Sequence, residues 1–257
     1  MKLGIIGVGH LAGSILKGLL RAGVEPSEIC LSPRGHGPEL AQTHGFELAS
    51  GNEELVQNND LILLSVRPAD AVAVATGLPW RDGQVVMSAC AGVGIDQLAG
   101  LVAPAKVVRI MPITASELGA SPTVVYPARP EVSDFLNAIG QAIPLSGEDQ
   151  FEAATVSAAI YGWAQELIRV GVEWSANQGL DPTAARQLVA QTFVASGRMQ
   201  SEIDGSMSEI LDALLTPNGI TEAGLNHLTQ KHFQTAWVEA CDVVIDRLRG
   251  GLGSKED

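Results

Sequence analysis

Directly behind an apolar run, Leu3-Gly4-Ile5-Ile6, stands Gly7-Val8-Gly9-His10-Leu11-Ala12, and behind that Leu11, Ile15, Leu16, Leu19 and Leu20 recur at helical spacing. A strand, a G-x-G-x-x-A turn and an amphipathic helix in that order predict a unit that holds a dinucleotide by its pyrophosphate. Each small residue has its reason. Gly7 allows the tight turn, Gly9 lets the backbone approach the phosphates, and Ala12 lets the helix pack closely on the strand. The first-turn amides of His10, Leu11 and Ala12 have no helical acceptor, so with the positive end of the helix dipole they face the anion. A glycine-rich turn without a ligand would share the letters but not the strand before them and the helix after.

The cofactor's sugar can be read from the next strand. NAD-binding chains carry an acid at its end, on the ribose 2′-OH. Here Ile29-Cys30-Leu31-Ser32 runs into Pro33-Arg34-Gly35-His36, with no Asp or Glu. Ser32 can hydrogen-bond a 2′-phosphate and Arg34 can pair with it, which points to NADPH. The bland alternative for Arg34 is a solvated loop charge.

Further apolar runs follow at Leu61–Val66, Val85–Cys90 and Val107–Met111, with weaker ones at Thr123–Tyr126 and Ala142–Leu145. Continuous apolar runs mark strands covered on both faces. The intervening segments around 11–22, 68–77, 94–101 and 131–139 read as helices. The expectation for 1–150 is an α/β domain, a Rossmann-type doubly wound sheet. Past 150 the period changes: Ile160, Trp163, Leu167, Val170 and Trp174 form one helical stripe. Gly179 should stop that helix, and Asp181-Pro182 should cap and open the next. A short helix is expected around Met207–Leu215, and one long helix from near Thr221 through Leu248. Residues 151–257 therefore read as an all-helical domain for substrate and dimerisation, ending in a frayed tail, Gly250–Asp257. A self-contained bundle is the alternative to dimerisation. Such apolar helices in about a hundred residues often lack partners within one subunit, which favours a homodimer or higher homo-oligomer.

Composition bounds the partners. A formal charge of −13 argues against nucleic acid and anionic membrane, which need basic surfaces. No apolar run approaches a membrane span, and nothing ahead of the first strand reads as a leader. Cys30, Cys90 and Cys241 are far apart, as expected of reduced cysteines in a cytoplasmic chain. His227 and His232 are off the i, i+4 spacing of helical metal ligands, so no metal is expected.

Ligands of open α/β sheets bind beyond the carboxyl ends of the strands. Three such ends lead into small or proline-containing turns, and their backbones can lie flat against a nicotinamide. They make Val66, Arg67, Pro68, Ala91, Gly92, Met111 and Pro112 candidate cofactor contacts. Ordinary strand–helix punctuation would explain any one of these turns. A second cluster, Thr216-Pro217-Asn218-Gly219-Ile220-Thr221, opens a helix with hydroxyls and free amides suited to a substrate carboxylate. Plain capping by Thr221 and a turn at Pro217-Asn218-Gly219 would also account for it.

The chain resembles the pyrroline-5-carboxylate reductases over nearly its whole length. Ile5–Ala12 is similar to that family's opening, Ser65-Val66-Arg67-Pro68 to its A-V-K-P, and Val108–Thr114 to its V-R-x-M-P-N-T. Gln191-Thr192 resembles its Q-T pair. Thr216–Thr221 stands where the family has S-P-G-G-T-T, followed by the matching Ala223-Gly224-Leu225. The resemblance implies that Thr221 hydrogen-bonds the imine nitrogen or carboxylate region, as the catalytic residue, and that the backbone around Asn218 and Gly219, beside Thr216, holds the carboxylate. The substrate half diverges. Ile113 replaces an Asn, Asn218 a turn glycine and Ile220 a threonine, and Ser157–Trp163 stands where S-G-S-G-P-A-Y is expected.

The reading is an NADPH-dependent reductase of a cyclic imine amino acid, with reduction of 1-pyrroline-5-carboxylate to proline as what the resemblance implies. A protonated imine needs no strong acid, which suits a site of hydroxyls and amides. Two alternatives stand beside it. One is a paralogue that keeps NADP binding without turnover. The other is a β-hydroxyacid dehydrogenase-like enzyme, whose chemistry needs a lysine early in the helical domain, where residues 151–180 have none.

Overall fold

The computed structural model describes residues 2–250; the part of the expected tail from residue 251 onward lies outside them. Eight strands form one sheet: β1 Leu3–Ile6, β2 Ile29–Leu31, β3 Glu47–Leu48, β4 Leu61–Leu64, β5 Val85–Ser88, β6 Lys106–Met111, β7 Ser121–Tyr126 and β8 Gly140–Pro144. Their spatial order is β3-β2-β1-β4-β5-β6-β7-β8. The chain therefore leaves β1 in one direction, returns, and continues on the other side of it. Helices α1 His10–Arg21, α2 Gly37–His44, α3 Asn52–Asn58, α4 Ala71–Ala75, α5 Ile95–Val102 and α6 Ser133–Ile139 lie between the strands.

Why the central strands are apolar throughout is visible in the packing. Leu3, Ile5, Leu61 and Leu63 join Ile15, Leu19 and Phe135 in one core. The alternate residues Ile6, Ile62 and Leu64 join Leu55, Val86 and Leu98 in another. Side chains alternate along a strand, so both faces need apolar residues when helices cover both. A third, smaller core gathers Met111, Val124 and Phe151 with Ala91, Tyr126 and Leu145.

The sheet departs from the expected parallel arrangement at one place. β7 runs antiparallel to β6, with Ile110 opposite Val125, and β8 is parallel to β7. Segment 112–120 between β6 and β7 is too short for the crossover of a dozen or more residues that a parallel pair needs. Two short helices, α2 and α3, and the two-residue β3 also lie where the sequence showed no clear period.

The described chain divides into two compact units. One comprises residues 1–158 with the segment from Ile245, and the other comprises Ala159–Val244. The second is wholly helical. α7 Phe151–Asn177 runs into it, followed by α8 Pro182–Glu202, α9 Met207–Asp212, α10 Ile220–Gln230 and α11 Phe233–Arg249. Asp181 caps α8 by accepting from the Thr183 and Ala184 amides, each at 3.0 Å. Gly179, at φ +96°, ends α7 in the left-handed conformation. The single long helix expected from Thr221 through Leu248 is two helices, because the chain turns at Lys231-His232, where His232 takes φ 57°. No glycine or proline announces that break. Trp163 meets Trp237 edge-on at 5.3 Å, and Phe233 packs beside Trp237 at 5.6 Å.

Candidate active site

The first compact unit holds a cavity of about 660 Å³ at the carboxyl ends of β1, β2 and β4. Its lining includes Gly7, Gly9, Ser32, Arg34, Val66 and Arg67. The turn that makes its floor is fixed by hydroxyls from the two flanking strand ends. Ser65 Oγ donates to the Gly7 carbonyl at 2.7 Å, and the Gly7 amide donates to Ser32 Oγ at 3.3 Å. Gly7 adopts φ +92°, and a Cβ there would lie 2.7 Å from the Ser65 carbonyl carbon. Only glycine fits.

Gly9 is constrained differently. A Cβ on it would meet nothing within 4 Å, so no part of the folded chain demands glycine. The open space lies at the head of α1, where Gly9 is the N-cap and no side chain caps the helix. The first helical bond there is from the Gly13 amide to the Gly9 carbonyl, at 2.9 Å. Among the described residues the amides of His10, Leu11 and Ala12 thus have no acceptor. Three donors, a dipole and a bare backbone make an anion cradle. Ser32 is 2% exposed, and the guanidinium of Arg34 has no acidic partner among the described residues. The donor set fits NADPH: amides for the pyrophosphate, and a hydroxyl with an unpaired guanidinium for the 2′-phosphate.

Of the other expected cofactor residues, Val66 and Arg67 line this cavity and the rest lie outside its lining. His10 lines a neighbouring cavity of about 270 Å³ with Gly9, Ser14, Lys17 and His36. Ala12 is buried, and Leu11 packs against the core, so each faces the cradle with its backbone alone. Arg67 lines the main cavity and donates from Nε to Asp70 at 2.8 Å. Pro68 begins the short turn Pro68–Asp70 beside it. Ala91, Gly92, Met111 and Pro112 are not among the lining residues. Met111 belongs to the third core and Ala91 packs against it, and Gly92 takes φ +70° in the turn that leads to α5. Cys90, before that turn, is 2% exposed, with Sγ 3.5 Å from the Val66 carbonyl. Burial pushes its thiol up, against a smaller lowering by its hydrogen bond to Ser88.

Sequence reasoning missed Gly35, Asn52, Ala73 and Val74 in the cavity wall. Gly35 had a signal, a glycine directly after the strand end in Pro33-Arg34-Gly35-His36, and it takes φ +64° there. Asn52 had none, because the run Ser50-Gly51-Asn52 reads as loop and the helix it opens is only seven residues long.

The second compact unit holds Thr216, Asn218, Gly219 and Thr221. The Gly219 amide donates to the Thr216 carbonyl at 2.7 Å, closing a tight turn, and a Cβ on Gly219 would lie 2.4 Å from Thr216 Oγ1. Asn218 sits in the turn at φ 60°, a conformation Asn tolerates better than most residues. Glu222 Oε2 accepts the Asn218 amide at 2.8 Å. The amides of Asn218 and Gly219, the expected carboxylate donors, are therefore already engaged. The amides left without an acceptor among the described residues are those of Ile220, Thr221 and Glu222, ahead of the first helical bond from Ala223 to the Gly219 carbonyl. Gly219, not Thr221, is the N-cap of α10. That frees the Thr221 hydroxyl from the capping role the sequence offered it.

Among the described residues no cluster of three or more His, Cys, Asp or Glu could hold a metal ion, and no helix is long and apolar enough to cross a membrane.

Comparison with known proteins bears on both units. Residues 148–250 match a family described as pyrroline-5-carboxylate reductase dimerisation, and residues 2–92 one described as NADP oxidoreductase, coenzyme F420-dependent. Pyrroline-5-carboxylate reductase 1 of Bacillus spizizenii is 30% identical, the match covering 88% of this chain and 81% of that one. The crystal structure of 1-pyrroline-5-carboxylate reductase from Streptococcus pyogenes superposes with a TM-score of 0.84 at 25% identity, covering 98% of this chain and 99% of that one. Pyrroline carboxylate reductase of Plasmodium falciparum, solved with NADP bound, shares the fold with a TM-score of 0.87 at 23% identity, over 99% of this chain and 98% of that one.

Proposed function

This chain belongs to the pyrroline-5-carboxylate reductase family, and on that premise we propose how its residues divide the work. The reaction is the NADPH-dependent reduction of 1-pyrroline-5-carboxylate to proline. The observation that carries the assignment to this chain's residues is the head of α1. Three unpaired amides at a helix start, beside a Gly9 whose Cβ position is open, supply the donors and the room that a bound anion needs.

Gly7, Gly9 and the amides of His10, Leu11 and Ala12 hold the pyrophosphate. Ser32 and Arg34 hold the 2′-phosphate. Val66, Arg67, Pro68, Ala91, Gly92, Met111 and Pro112 shape the strand ends that receive the nicotinamide. NADPH supplies the hydride that reduces the carbon–nitrogen double bond. The helical half, residues 151–257, binds the substrate and carries the dimer contacts. Thr221 is the catalytic residue, its hydroxyl donating to the imine or carboxylate region. The open amides at Ile220–Glu222 receive the carboxylate, in the turn that Thr216, Asn218 and Gly219 shape. The turn carries no His or Lys at this point, and none is needed. The imine arrives protonated, so the chain contributes orientation and electrostatics in place of an acid.

The family match supports a homo-oligomer. We assign a homodimer built on α7, α8 and α11, since Val170, Trp174, Leu188 and Val238 are left largely exposed. Three free cysteines without a disulfide agree with a cytoplasmic setting. The deciding experiment follows NADPH absorbance with 1-pyrroline-5-carboxylate and with other cyclic imine acids. Absence of turnover with all of them would leave an NADP-binding relic and overturn the assignment.

A further inference from the structure

One polar cluster in the first compact unit is absorbed by nothing above. Arg109, on β6, has a side chain 3% exposed between two carboxylates. Its Nη1 lies 3.1 Å from Glu148 Oε1, and its Nη2 lies 2.5 Å from Glu152 Oε1. The guanidinium stacks on the Phe151 ring, 3.9 Å from its centroid. The same Glu148 oxygen accepts the Ile95 amide at 2.8 Å. Ile95 is the first residue of α5, so this carboxylate ties the end of the Ala91–Gly94 turn to β6. Phe151 in turn packs in the core that contains Met111 and Ala91.

A buried arginine needs one carboxylate to balance its charge; the second has a different use. Glu148 Oε1 is the acceptor that the β6 arginine and the first residue after the β5–α5 turn share. The turn is otherwise held by the bond from the Val93 amide to the Cys90 carbonyl, at 3.3 Å, and by Gln97 on the Gly94 amide, at 2.8 Å. Both of these are internal to the segment, and the contacts of Cys90 Sγ with the Leu64 and Val66 carbonyls tie its start to the end of β4; none of them fixes it against β6.

We propose that Glu148 is a positioning residue, which sets the Ala91–Gly94 turn against the end of β6 and so shapes the nicotinamide end of the cofactor site. This rests on the assignment of that turn to NADPH. It predicts an effect confined to one end of the dinucleotide, since the phosphate cradle at Gly7–Ala12, Ser32 and Arg34 shares no contact with Glu148.

The test compares two ligands on the intact protein by fluorescence or calorimetric titration: NADPH, and 2′,5′-ADP, which lacks the nicotinamide. In Glu148→Gln, NADPH binding should weaken about fivefold to tenfold. Binding of 2′,5′-ADP should stay unchanged, and amide exchange should accelerate at Ile95. An equal loss for both ligands, or no loss for either, would overturn the proposal. Glu148→Asp keeps the charge but not the reach, and it should reproduce the selective loss if the Gln variant does not fold. If both variants fail to fold, Glu148 is a support of the fold and the proposal falls. Failure of the wild type to bind either ligand would instead strike the NADPH assignment.

Discussion

The two compact units have nearly opposite surfaces. In the first, the apolar side chains of β1, β4, β5 and β6 are almost all covered by helices of the same unit. In the second, Ala185 is the one buried residue among those described, while Trp174 is 64% exposed and Val243 69%. Burying a large apolar side chain is worth roughly 1.5–3 kcal/mol. The nucleotide-binding unit has collected that stabilisation within itself, whereas the helical unit has left much of it to be collected from another surface. The difference teaches where each half's identity is written. The cofactor unit is specified by its own core, and the helical unit by the partner it meets.

The largest effect should come from denying the helical unit that partner. Val170→Glu with Trp174→Glu places charge in the exposed stripe. Sedimentation at micromolar concentration should then show a monomer, with turnover down about a hundredfold, or about 2.8 kcal/mol. Binding of 2′,5′-ADP should persist. A dimer that survives both charges would show that other surfaces join the subunits.

Next in size is Gly9→Ala. The Cβ meets no neighbour, so the melting temperature should hold, while NADPH affinity falls about thirtyfold because the methyl occupies the phosphate approach. Gly7→Ala makes the contrast, since its Cβ would strike the Ser65 carbonyl and should lower stability as well. Equal melting temperatures for the two variants would count against the separation of fold from function at this turn.

On the helical side, Thr221→Val removes a hydroxyl at nearly constant volume. Turnover should drop about tenfold, the worth of one hydrogen bond of 1–3 kcal/mol to the reacting substrate, with NADPH binding unmoved. A loss of stability alone, with kinetics of the folded fraction intact, would make Thr221 a structural residue.

Arg34→Gln should shift the preference between NADPH and NADH by about fivefold to tenfold toward NADH, by removing a charge-assisted contact. The ratio of the two dissociation constants measures it, and an unchanged ratio would return Arg34 to the status of a solvated charge.

The smallest effect is alkaline. Burial holds the Cys30 and Cys90 thiols above their ordinary value of 9.0. Above that pH the unfolded chain has released protons that the folded chain still binds, so the contribution to stability falls as pH rises. Urea midpoints at pH 8 and pH 10 should converge slightly in Cys90→Ala; an identical gap would exclude the effect.

What could be read without the fold was whatever local chemistry dictates. The β1–turn–α1 unit was legible because the turn's glycines and the helix's apolar stripe are independent signals that agree. The later strands were legible as continuous apolar runs, but the reversed direction of β7 was not. Strand direction was settled by the length of segment 112–120, not by composition. β3 was invisible because Glu47 and Leu48 are both exposed and two residues make no period. The break at His232 was missed because a left-handed histidine carries no breaker signal. At the substrate turn the residues were legible and their pairing was not. That Glu222 takes the Asn218 amide, and that Gly219 displaces Thr221 as the cap, depends on helix geometry three and four residues away.

That same turn also sets a clock. An asparagine followed by glycine is chemically labile, because the glycine nitrogen can attack the asparagine side chain, close a ring and release ammonia. In Asn218-Gly219 the attacking nitrogen is held by its bond to the Thr216 carbonyl, so the intact turn resists its own ageing. Each opening of the turn exposes it. Deamidation would leave a carboxylate beside the amides proposed to receive the substrate's carboxylate, where two like charges would compete. Peptide mapping of stored protein would read that ageing directly.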